Sequence, residues 1–158
     1  MKKSGIICLV LGIGLSIHAQ YKGKIVKVYD GNTFWVELAD GKTDSVKLYG
    51  IDCPELEQQY GVAAKKKLEG HLHREVDLEY KGRDTKNYLM AIVKYDTKKE
   101  KDVILNEEMI REGYAWKNKY TDDKGYEKLE KEARKNKAGL WRNADPVAPW
   151  EFRKNNKK

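Results

Sequence analysis

Residues 21–38 read YKGKIVKVYDGNTFWVEL, and the fold turns on how this stretch is parsed. Ile25, Val26 and Val28 form one β-branched cluster, and Phe34, Trp35, Val36 and Leu38 form a second. Asp30-Gly31-Asn32 lies between them, and such residues accept the tight backbone of a hairpin turn. The reading is therefore two antiparallel strands. Asp40-Gly41-Lys42 is a second turn signal, leading into a third strand at Val46-Lys47-Leu48-Tyr49. Across residues 54–70 the period changes, and Tyr60, Ala63, Ala64, Lys67 and Leu68 predict a helix that stops at Gly70. Val76, Leu78 and Tyr80 alternate with acids as a fourth strand, and Leu89 to Tyr95 gives a fifth. Val103–Glu112, closed by Gly113, and Asp123–Ala138, closed by Gly139, predict two amphipathic helices. Five strands in hairpin order, one helix after the third and two at the end, give an α+β class that is mainly β. The expected architecture is a small closed barrel with about three helices packed outside it.

The wider composition agrees with one domain. The chain has 158 residues, 32 Lys or Arg against 25 Asp or Glu, and a formal charge of +7. A mean hydropathy of -0.82 excludes a multispan membrane protein. A hydrophobic share of 40%, with four Trp and ten Tyr, excludes full disorder. The basic balance favours polyanionic partners only weakly. Met1-Lys2-Lys3, an apolar run from Ile6 to Ile17 and then His18-Ala19-Gln20 have the pattern of a secretory signal peptide. The expected division is a signal at 1–19, a domain at 20–150 and a solvated basic tail at 151–158. Cleavage after Ala19 would make the protein secreted or periplasmic, with no membrane association afterwards. It would remove Lys2, Lys3 and Cys8, leaving a charge of +5 and Cys53 as the lone thiol. A lone Cys leaves no intramolecular disulfide, and burial is its expected state.

Asp52 and Glu55 flank Cys53-Pro54 where a strand gives way to a helix. Two carboxylates there suit a hard cation such as Ca²⁺, or one of them suits a base acting on water. They equally suit a turn residue and a first-turn helix acid, and the residues alone leave both readings open. His71 and His73 flank Leu72 without a third ligand nearby, which favours a surface role over metal binding. Trp116, Trp141 and Trp150 read as packing residues, while Trp35 and Tyr49 read as barrel aromatics on which bases can stack.

Ordered motifs add a resemblance. They run from D-G-x-T-F at the first turn, through V-K-L-Y-G-I-D-C-P-E and the Q-x-Y-G-x-x-A helix start, to G-Y-A-W at Gly113–Trp116. E-A-R at Glu132–Arg134, G-L-W at Gly139–Trp141 and P-W-E-F-R from Pro149 follow in order. Together they resemble the staphylococcal nuclease (thermonuclease) family along nearly the whole mature chain. The resemblance implies a five-stranded OB-fold barrel with three helices and a secreted, Ca²⁺-dependent phosphodiesterase that cleaves DNA and RNA. It also implies roles for individual residues. Asp52 is a metal aspartate, Cys53 offers a backbone carbonyl in place of a Thr, and Glu55 positions or deprotonates the attacking water. Asn32 stands where a second metal aspartate is expected. Lys47 and Tyr88 stand where two phosphate-gripping arginines are expected. Arg83 and Lys86, both near Tyr88, are the candidates to refill the second of these, and Tyr120 and Tyr49 are nucleic-acid contacts.

These departures weaken the expected chemistry. Asn32 offers an oxygen without charge, so Ca²⁺ binding should be weak. Lys47 keeps a charge but loses the bidentate fork, and Tyr88 keeps neither. One lost charge stabiliser typically costs about 2.7–4 kcal/mol of transition-state stabilisation. The sequence-based expectation is an exported, monomeric OB-fold protein that binds nucleic acid with little or no phosphodiesterase activity. Its alternatives are a secreted Ca²⁺-dependent nuclease with Glu55 as general base, and a partner for another envelope protein.

Overall fold

The computed structural model describes residues 20–156. The signal-peptide expectation for residues 1–19, and with it Cys8, lies outside those residues. The hairpin read from residues 21–38 forms as β1 (Gln20–Val28) and β2 (Thr33–Leu38), antiparallel with Val28 opposite Phe34. β3 (Thr43–Leu48) extends the meander, and β4 (Ile51–Asp52) is a short strand beyond it. Helix α1 (Gly61–Glu69) leads back to β5 (Glu75–Arg83) and β6 (Leu89–Tyr95). β1 pairs with β5, β5 with β6, and β6 runs parallel to β3 through Val46–Leu89 and Leu48–Ala91, which closes five strands into a barrel. The five-stranded expectation holds.

Alternation decides the interior. Ile25, Phe34, Val36, Val46, Leu48, Leu78, Ala91 and Val93 point inward and are buried. Each fully buried large apolar side chain contributes roughly 1.5–3 kcal/mol. Two close approaches require glycine. A Cβ on Gly31 would lie 2.6 Å from the Ala64 Cβ, so only glycine lets the first turn sit against α1. Gly50 turns the chain between β3 and β4 with φ +78°.

The C-terminal third carries β7 (Val103–Ile104), α2 (Leu105–Arg111), β8 (Trp116–Lys117) and α3 (Lys124–Lys135). The Asp123 carboxylate accepts the Tyr126 N–H and caps α3. Asn106 on α2 is fully buried: its amide donates to the carbonyls of Tyr49 and Ala91 and accepts the Val93 N–H. It pins α2 across the β3–β6 seam, a role invisible in its sequence neighbourhood.

Two expectations need correction. The first helix begins at Gly61 rather than near residue 54, because Pro54 and the turn over residues 55–60 hold the chain out of helical geometry. The segment read as a basic tail from residue 151 instead lies largely in a helix, α4 (Pro149–Asn155). Pro149 sits in its first turn, where a missing N–H costs nothing. Trp150 stacks edge-on against Trp116 at 5.7 Å, and Trp116 in turn against Trp141 at 4.3 Å. The aromatic packing predicted for these three tryptophans holds α4 against the body.

Candidate functional site

One end of the barrel opens into a cleft of about 360 Å³ lined by Asp30, Asn32, Lys47, Asp52, Glu55 and Lys86, with Tyr88 and Arg153 among its other walls. The β1–β2 turn supplies Asn32, β3 supplies Lys47, and the chain leaving β4 supplies Asp52, Cys53 and Glu55. Tyr88 and Lys86 come from the turn between β5 and β6. Asp84 builds that turn by accepting the N–H groups of Lys86 and Tyr88.

Arg153 occupies the acidic centre of the cleft. One terminal nitrogen donates to Asp52 Oδ2 at 2.6 Å, and the other donates to Asp52 Oδ1 at 3.1 Å and Glu55 Oε1 at 2.6 Å. Asp52 is nearly buried, and a buried carboxylate needs such a partner. The hydrogen bonds to Asp52, ahead of those to Glu55, hold the Arg153 guanidinium even more firmly charged than usual. Gln58 locates both sides of this contact. Its side chain accepts the Glu55 N–H and donates to the Val147 carbonyl just ahead of α4.

Asn32 is also buried, at 6% exposure, and neither its Oδ1 nor its Nδ2 has a partner. An orphaned amide on the wall of a polar cleft marks a place where a ligand oxygen, a cation or water completes the bonding. The donors Asp52, Asn32 Oδ1 and the Cys53 carbonyl suit a hard cation. Nevertheless, among the described residues no group of three or more His, Cys, Asp or Glu side chains is arranged to hold a metal. The donor set fits such an ion only with Arg153 withdrawn, since both Asp52 oxygens are engaged by its guanidinium.

The remaining sequence-stated candidates separate. Cys53 is buried and donates its thiol hydrogen to the Gly31 carbonyl at 3.0 Å. Burial, then the Asp52 charge, pushes this thiol well above its usual range, so it stays protonated. Arg83 does not refill the position at Tyr88. Its guanidinium is bound to Asp44 at 2.5 Å and to the Asn87 carbonyl at 2.7 Å, away from the cleft. Lys86 does face the cleft. Tyr49 and the highly exposed Tyr120 line a shallow second groove with Lys47, so Lys47 is common to both depressions. His71 is buried rather than superficial, packed on Tyr95 and near Glu108, whereas His73 is exposed. Sequence reading missed Arg153. Its motif, P-W-E-F-R, was visible, but nothing local said where the arginine would reach.

A five-stranded barrel with acidic and basic residues gathered in one cleft defines an OB-type barrel with a charged cleft. Comparison with known proteins narrows this class. A family model described as staphylococcal nuclease homologue matches residues 45–143. The chain is 32% identical to a protein of Shigella flexneri called micrococcal nuclease, across 94% of this chain and 90% of that one. It is 32% identical to an uncharacterized endonuclease of Haemophilus influenzae, across 85% and 74%. With the thermonuclease of Staphylococcus hyicus it shares 30% identity across 82% and 81%. The chain belongs to the staphylococcal nuclease family.

Proposed function

We propose that this protein is an exported, monomeric nucleic-acid-binding member of its family with little or no phosphodiesterase activity. One observation carries the reading: Lys47, Tyr88 and the uncharged Asn32 line the cleft where two forked arginines and a metal carboxylate are expected, so Lys47 and Lys86 meet a phosphate as point charges. Lysine supplies point charge without the fork that grips a phosphate in one orientation, which favours loose backbone binding over transition-state stabilisation. The groove continuing from Lys47 past Tyr49 to Tyr120 offers aromatic faces for unpaired bases. Ca²⁺, if bound, would be held by Asp52, Asn32 and the Cys53 carbonyl and would supply positive charge beside a phosphate.

Signal-free protein titrated with fluorescent single-stranded DNA should bind with an affinity that falls as salt rises. Lys47→Ala should lower the salt slope by about 1 and weaken binding of all sequences alike. Salt-independent binding, or none, sinks this reading. The second reading, a Ca²⁺-dependent nuclease with Glu55 as general base, is favoured by the retained Asp52–Glu55 pair and by the Arg153 guanidinium that faces it. Chelator-sensitive cleavage that disappears in Glu55→Gln would establish it in place of the first.

A further inference from the structure

We propose that Arg153 is a tethered cation that competes with a divalent cation for Asp52 and Glu55, making α4 a latch over the acidic centre. The proposal rests on the reading of this cleft as the family's cation and nucleic-acid site, and it goes beyond it by assigning a residue that controls access.

The geometry is that of substitution. Arg153 takes three of the four carboxylate oxygens of Asp52 and Glu55. A hard cation needs charged oxygens of the same kind, and a guanidinium on Asp52 would sit within a few ångströms of it. Two positive centres that close repel, so occupancy by one excludes the other. Asn32 offers a further bonding position beside them. The guanidinium leaves its Oδ1 unpartnered although it is buried on the cleft wall, so the latched state bonds three carboxylate oxygens and not the amide.

Arg153 is also placed to leave. Its side chain is 44% exposed while that of Asp52 is 8% exposed, so the carboxylate is fixed in the barrel and the cation arrives from solvent. It is carried by a helix of seven residues near the end of the chain, held mainly through Trp150 on Trp116 and the Gln58–Val147 contact. The Glu55 half of the contact is partly exposed and screened by salt, while the buried Asp52 carboxylate requires another cation in place of the guanidinium when it leaves. Withdrawal of α4 would leave the barrel strands and their pairings untouched.

Calcium titration of wild type, Arg153→Gln and Arg153→Lys by calorimetry tests the latch, with thermal melting to verify that each is folded. A latch closed nine-tenths of the time masks affinity about tenfold, so Arg153→Gln should bind Ca²⁺ about tenfold more tightly than wild type. Arg153→Lys, which keeps the charge and loses the fork, should fall between them. Saturating Ca²⁺ should shift the tryptophan emission of wild type toward that of calcium-free Arg153→Gln, because Trp150 rides on α4. Equal or weaker Ca²⁺ binding by Arg153→Gln overturns the proposal, as does the lack of binding by either protein at millimolar concentration. Single-stranded DNA binding is measured on the same samples. Tighter Ca²⁺ without DNA binding leaves the latch standing and removes the nucleic-acid reading; DNA binding with unchanged Ca²⁺ affinity does the reverse.

Discussion

Two clusters in this molecule join cations to carboxylates, and they are built for different ends. Between α1 and α2, Lys67 reaches Glu108 at 2.6 Å and Glu112 at 2.8 Å, and the Tyr95 hydroxyl donates to the other Glu108 oxygen at 2.6 Å. Both Glu108 oxygens are partnered, and the Lys67 and Glu108 side chains are only 20% and 15% exposed. In the cleft, Arg153 joins Asp52 and Glu55 from a solvent-facing helix and leaves the neighbouring Asn32 amide unpartnered. Full hydrogen bonding of Glu108 between two packed helices makes the first cluster a fastening. A half-exposed cation on a buried carboxylate, beside an unpartnered amide, makes the second a candidate site.

The largest test of that contrast is Glu108→Ala. Removing Glu108 leaves Lys67 only the more exposed Glu112 and strands the Tyr95 hydroxyl, and should cost about 2 kcal/mol of stability in urea unfolding. A loss under about 1 kcal/mol would place the cluster with ordinary surface pairs. Next is Asn32→Asp, which adds a charged oxygen to the cleft where the amide is orphaned. It should raise Ca²⁺ affinity about tenfold, or 1.4 kcal/mol, by calorimetry. No gain would show that Asn32 does not face the cation.

The smallest effect is in pH. Burial, ahead of the opposing Glu108 charge, lowers the His71 imidazole below its ordinary value of 6.5, with Arg74 and Lys67 also facing it. Burial works to raise the Glu108 carboxyl, but hydrogen bonds from Lys67 and Tyr95 together carry it below its ordinary 4.5. For both groups the unfolded chain binds more protons than the folded one at acid pH. Stability should therefore fall as pH drops from 6.5 through the lowered His71 value, and fall further below 4.5. His71→Gln should flatten the first part of that decline, by less than the Glu108→Ala loss, in thermal melts across pH. An unchanged slope would mean that His71 is not held neutral.

The barrel was largely legible because its signals are local. Alternation at Ile25, Phe34, Val36, Val76 and Leu78, and turns at Asp30-Gly31-Asn32 and Asp40-Gly41-Lys42, name strands within a few residues of themselves. The motif around Asp52 and Glu55 keeps the two carboxylates three residues apart, and both line one cleft. What failed was long-range. Arg83 lies close in sequence to Tyr88, yet pairs with Asp44 on β3, a strand that its own does not pair with, and does not line the cleft. His71 looked superficial because its burial depends on α2, which is distant along the chain.

By itself, then, the sequence determined the strands, the turns, the principal helices and the family's carboxylate pair, because backbone preference and side-chain period act over a few residues. Only the tertiary structure decided which cation meets that pair. Arg153 lies 101 residues from Asp52, and the tryptophan stack and Gln58 that bring them together are assembled from distant segments. A contact between such segments depends on the packing of everything between them, and no short window of residues encodes it.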